Sequence, residues 1–79
     1  MALGSMLLQM KPEAEKNLRS RLAELPGVSV EERTPGGELV LVAETEDLAA
    51  LHRLSREIEQ LPGVLGLYPS YVTTEDEGE

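Results

Sequence analysis

The sequence predicts a small α+β domain with the element order β-α-β-β-α-β, and three observations predict it. The tetrad Leu-Pro-Gly-Val occurs twice, at Leu25–Val28 and again at Leu61–Val64. Each copy follows a stretch with helical spacing of aliphatic residues and precedes one with strand-like alternation. Between the halves, Pro35-Gly36-Gly37 separates two further strand-like runs in the manner of a hairpin turn. A duplicated unit of helix, Pro-Gly stop and strand suggests a repeated βαβ module. Its full order is the split βαβ, or ferredoxin-like, pattern, with both helices on one face of a four-stranded antiparallel sheet.

Each element has a local cause. The first strand is read at Met6–Lys11. The first helix opens at Pro12, whose fixed φ suits a first turn, with Glu13 and Glu15 near the positive end of the helix dipole. Ala14, Leu18, Leu22 and Leu25 then mark one face. Pro26 ends the helix, and Gly27 accepts the positive φ that turns the chain back. Strands follow at Val28–Arg33 and Leu39–Glu44. The second helix has Thr45 or Asp47 as candidate cap and an apolar stripe of Leu48, Leu51, Leu54, Ile58 and Leu61. The last strand is read at Leu65–Val72, where Pro69 is tolerable on a sheet edge or at a bulge. Residues 1–5 are read as an N-terminal extension, with Gly4-Ser5-Met6 resembling a cloning junction. The domain is 6–73, and 74–79 form an acidic, disordered tail.

Composition narrows the function. The chain has 79 residues, no cysteine, no Phe or Trp, and two tyrosines. Neither a disulfide nor a thiolate metal site can staple it, so the core has to be aliphatic. Seven Lys/Arg against fifteen Asp/Glu give a net charge of −8, a field that repels nucleic acid and anionic lipid and attracts cationic partners. No apolar run approaches the roughly 18 residues that span a bilayer, and the start lacks a signal peptide's basic and apolar regions. A cytoplasmic protein without membrane insertion is expected.

Candidate chemistry is sparse. His52 is the single histidine and reads as a surface or boundary residue of the second helix. Glu31-Glu32 and the Glu44–Asp47 run read as solvated rims. There is no Gly-rich strand-to-helix loop to cradle phosphate, no Cys-x-x-Cys, and no aromatic platform for RNA. An acylphosphatase-like hydrolase of this fold would need a basic anion-binding loop, which is absent. No catalytic residue, metal site or cofactor is expected.

The strands themselves point to a surface. Met6, Leu8 and Met10, with Val28 and Val30, Leu39, Leu41 and Ala43, and Leu65, Leu67 and Tyr71, form the expected helix-covered side. The open side then carries Leu7, Val40, Val42 and Tyr68, ringed by Gln9, Ser29, Glu31, Glu44 and Ser70. A one-sided antiparallel sheet normally shows polar residues to water. An apolar patch with a polar rim marks a contact surface. Its occupant is either another polypeptide or a second copy of the chain.

Leu7-Leu8-Gln9-Met10-Lys11-Pro12-Glu13, the first Leu-Pro-Gly-Val, Gly37-Glu38-Leu39-Val40-Leu41-Val42 and Leu61-Pro62-Gly63-Val64-Leu65 together resemble the NapD family. These are small cytoplasmic chaperones for the catalytic subunit of periplasmic nitrate reductase. The resemblance runs from about Met6 to Val72. Tyr71-Val72 stands where members often carry Tyr-His, and Tyr68-Pro69 interrupts a stretch usually rich in Ser, Leu and Val; both departures bear on the client more than on the fold. The resemblance implies binding of the twin-arginine signal peptide of a molybdoenzyme client before export, while the molybdenum cofactor is inserted. Leu7, Val40, Val42 and Tyr68 would take the apolar side of the peptide, and Glu31 and Glu44 its arginines. The free chain is expected as a monomer or weak homodimer. The alternative is a small-molecule-sensing regulatory domain that dimerises through the same open face.

Overall fold

The computed structural model describes residues 1–74. Its order is β1 (Ala2–Met10), a 3-10 turn (Pro12–Ala14), α1 (Glu15–Ala23), β2 (Val28–Arg33), β3 (Leu39–Thr45), α2 (Leu48–Glu59) and β4 (Val64–Thr74). The four strands form one antiparallel sheet in the order β2-β3-β1-β4, with both helices against one face. This is the ferredoxin-like architecture expected from the order of elements. The acidic residues expected as a tail, 75–79, lie outside the described residues.

The two helices bury the stripes that their spacing marks. Leu18 and Leu22 from α1, and Leu51, Leu54 and Ile58 from α2, pack on Met6, Leu8, Met10, Leu39, Leu41, Ala43 and Leu67 of the sheet. Each fully buried leucine contributes about 1.5–3 kcal/mol relative to exposure. Leu48, expected in the α2 stripe, is exposed instead, because it sits on the first turn at the margin of the sheet.

The repeated tetrads do the same work twice. Gly27 and Gly63 have φ of 81° and 94°, in the left-handed region that side chains disfavour. The carbonyl of Gly27 accepts from Glu44 N, and that of Gly63 from Lys11 N, both at 2.9 Å. Each Pro-Gly stop therefore ends a helix and also bonds the end of a strand. A side chain at Gly27 would meet the Glu44 carbonyl, and one at Gly63 would meet Ala14. Both positions are closed to larger residues.

Three expectations change. First, β1 starts at Ala2, four residues before Met6, so residues 2–5, read as an extension ahead of the domain, are strand paired with both β3 and β4. Ala2 is fully buried, and Gly4 lies beneath Leu51, whose Cδ2 would stand 3.1 Å from an added Cβ. Second, Tyr71 was expected to point inward, yet it is 60% exposed and opposite Ser5. The β1–β4 register shifts between Ser5 and Met6, leaving Ser70 as an extra residue that reverses the phase of everything after it. Third, a second shift between Gln9 and Met10 makes Leu65 an extra residue, 60% exposed instead of inward. Pro69 lies beside the first bulge, on an edge strand, where a missing N–H is tolerated.

Of the two cap candidates, Asp47 acts: its Oδ1 accepts from Ala50 N at 2.8 Å, while Thr45 donates to the Asp47 carbonyl at 2.8 Å. Replacing Asp47 with Ala should cost about 1 kcal/mol and lower the melting temperature by roughly 4–8 °C in calorimetry. An unchanged melting temperature would mean that the cap contributes nothing.

Glu15 joins α1 to the edge strand β2. It accepts from Arg19 Nε at 2.9 Å and from Arg33 Nη1 at 3.1 Å. The Arg19 hydrogen bond, with the charges of Arg33 and Arg19, holds its carboxyl below the usual carboxylate range against an opposing desolvation effect. A lowered folded-state value means that this stabilisation is present at neutral pH and lost as pH falls through it. The pair is solvent-screened, so its contribution is small. Glu15→Gln should therefore lower the melting temperature by less than Asp47→Ala at pH 7, and the difference from the parent should vanish in acid.

Candidate functional site

The open face forms where the helices do not reach. On it, the strand register brings residues into rows. Ser29, Val42, Ser5 and Tyr71 run across β2, β3, β1 and β4; beside them lie Glu32, Val40, Leu7 and Tyr68. Further along, Glu44 stands opposite Leu3, which stands opposite Thr73. At the other end Gln9 pairs with Gly66. The centre is aliphatic and half-buried, formed by Leu3, Leu7, Val40 and Val42. Tyr68 and Tyr71, 54% and 60% exposed, flank it on the edge strand. The phenol of Tyr68 lies over Gly66, where any side chain would collide with the ring.

Most of the residues named from the sequence gather on this face, with two displaced by bulges. Leu7, Val40, Val42 and Tyr68 form its middle, and Gln9, Ser29 and Glu44 lie around it. Glu31 is the extra residue of a bulge between Val30 and Glu32, so Glu32 takes the place opposite Val40. Ser70 is likewise an extra residue, and its hydroxyl donates to the Ser5 carbonyl at 3.0 Å. It pins the bulge to β1 and does not stand free on the face. Leu3, Ser5, Glu32 and Tyr71 belong to the surface and were missed. No apolar alternation marks the first two, because their inward-facing neighbours Ala2 and Gly4 are small.

A second concavity, of about 340 Å³, lies on the helix side between α2 and β4. Its floor is Met6, Leu51 and Leu67 of the core, with His52 and Arg56 at its lip. It marks where α2 incompletely covers the irregular edge strand, and His52, Ser55, Arg56 and Glu59 of α2 line it together with the apolar floor. Among the described residues no three His, Asp or Glu side chains converge as a metal site would require, and no helix is long and apolar enough to cross a membrane. The chemistry available to the open face is therefore contact: a broad apolar patch, two phenols, and carboxylates along one margin. That suits an extended or helical peptide with apolar and cationic parts.

Comparison with known proteins agrees with the fold. The family model described as NapD protein matches residues 1–76. Chaperone NapD of Escherichia coli K12 is 30% identical over 76 residues, covering 95% of this chain and 87% of that protein, and Chaperone NapD of Shigella flexneri matches to the same extent. The solution structure of the E. coli Tat proofreading chaperone protein NapD superposes with a TM-score of 0.81 at 29% identity, over 98% of this chain and 82% of that one. These relatives are chaperones and not enzymes, and the chain belongs to the NapD family.

Proposed function

We propose that this protein is a cytoplasmic chaperone that binds the twin-arginine signal peptide of a molybdoenzyme client, a periplasmic nitrate reductase, and assists its maturation before export. Membership of a family whose relatives are chaperones, one of them a Tat proofreading chaperone, supports the general role. The observation that carries the peptide-binding reading is the open face: Leu3, Leu7, Val40 and Val42 beside two exposed tyrosines, with glutamates at the margin and, among the described residues, no element across it. A signal peptide offers a basic leading segment and an apolar stretch, the two features this surface complements. The peptide-binding set is Leu7, Gln9, Ser29, Glu31, Val40, Val42, Glu44 and Tyr68, extended by Leu3, Glu32 and Tyr71, with Ser70 acting through the bulge that it pins to Ser5. No cofactor takes part, and the free chain is a monomer or weak homodimer.

The test is a calorimetric titration with a synthetic peptide carrying two adjacent arginines followed by an apolar stretch. Both tyrosines of the chain lie on the face, so tyrosine fluorescence gives a second readout. Binding should weaken as salt rises, and replacing both arginines with alanine should weaken it at least about tenfold, a loss of about 1.4 kcal/mol or more. No heat and no fluorescence change at high peptide concentration would contradict the proposal.

A further inference from the structure

We infer that the peptide lies on the open face in one direction, its basic segment over the glutamates at the β2 edge and the end of β3, and its apolar segment over Val40 and Val42 and on across β1 and β4, so that the chain leaves across the β4 edge. This rests on the peptide-binding reading above and adds a polarity to it.

The argument begins with how charge is divided among the strands. β1 and β4, Ala2–Met10 and Val64–Thr74, contain no Asp, Glu, Lys or Arg. β2 and β3 contain Glu31, Glu32, Arg33 and Glu44. Arg33, opposite inward-facing Leu39, donates to Glu15 of α1 on the helix side and so leaves the carboxylates of the open face uncompensated. Glu31, Glu32 and Glu44 make no hydrogen bond or ion pair through their side chains among the described residues. Among the described residues, one half of the face is thus acidic and the strands of the other carry no charged side chain, with its apolar area enlarged by Tyr68 and Tyr71.

Distances decide the direction. Neighbouring strands lie about 4.8 Å apart, so β4 is two to three spacings, about 10–14 Å, from the carboxylates on β3 and β2. The Debye length at 0.1 M salt is about 10 Å. Arginines placed over β4 would therefore gain little from these glutamates, and the apolar stretch would in turn cover unpaired carboxylates, at a desolvation cost. In the opposite direction both terms are favourable. An apolar stretch of about 12 residues, if helical, spans about 18 Å, enough to cross from the acidic margin to the β4 edge. In this pose the basic leading end is the covered end, and whatever follows the apolar stretch projects past β4.

The experiment uses the full chain, labelled with nitrogen-15, and the twin-arginine peptide carrying a nitroxide at one end or the other. The amino-terminal label should broaden the amides of Ser29, Glu31, Glu32 and Glu44 several-fold more than those of Tyr68, Tyr71 and Thr73. The carboxy-terminal label should do the reverse. Saturable binding with the opposite pattern, or with both margins broadened equally by each label, overturns the direction while leaving peptide binding intact. Absence of any peptide-induced shift on the open face overturns the binding reading, and the direction with it.

Discussion

Leu51→Asp should leave no folded protein at room temperature. Leu51 is 3% exposed, closes the first turn of α2 and covers Gly4 of β1. Truncating such a leucine to alanine already costs about 2–5 kcal/mol, and aspartate adds an unpaired charge to the same site. A domain of this size commands roughly 4–12 kcal/mol in all, at about 0.05–0.15 kcal/mol per residue. There is no disulfide to hold the remainder together. Far-ultraviolet circular dichroism should show the helical signal lost without denaturant. A cooperative thermal transition near that of the parent would mean that α2 does not depend on this contact.

Val42→Asp should have the opposite profile, leaving the fold intact and removing peptide binding. Val42 is half-buried on the open face, with Ser5 and Ser29 as its cross-strand neighbours, so a carboxylate there stays hydrated in the free protein. In the complex it would sit beneath the apolar side of the peptide without a partner. A penalty of about 3 kcal/mol, within the range for an uncompensated polar group, corresponds to a loss of affinity above a hundredfold. Circular dichroism and melting temperature should be near those of the parent. Unchanged affinity with an intact fold would place the binding surface elsewhere. Together the two substitutions separate the faces of one sheet, since each introduces the same charge on opposite sides.

The helices and their order were legible in the sequence because Pro, Gly and aliphatic spacing act locally. Pro26 and Pro62 stop helices wherever the rest of the chain goes, and the stripes at Leu18–Leu22 and Leu51–Leu54–Ile58 lie on one side of any helix that forms. The middle of the open face was legible for the same reason, since Val40 and Val42 alternate with Leu39, Leu41 and Ala43 in an unbroken strand. What could not be read was phase. β4 has two extra residues, Leu65 and Ser70, and each shifts a period-two argument by one position, which is why Tyr71 and Leu65 face away from the core. Glu31 and Glu32 suffer the same ambiguity at the β2 bulge. Bulges arise from pairing with a partner strand and leave little trace in the strand's own sequence. The early start of β1 was hidden differently. Ala2 and Gly4 are inward-facing but small, because α2 presses close there, so they do not register as the apolar half of an alternation.

The most direct test of the open face as the binding surface is a methyl-detected nuclear magnetic resonance titration with the twin-arginine peptide. The methyl groups of Leu3, Leu7, Val40 and Val42 should shift saturably and show cross-relaxation to the peptide's apolar side chains, while those of Leu18, Leu22 and Ile58 should not. Contacts confined to Leu48 and Val72, at the cleft between α2 and β4, with the open-face methyls unmoved, would contradict it.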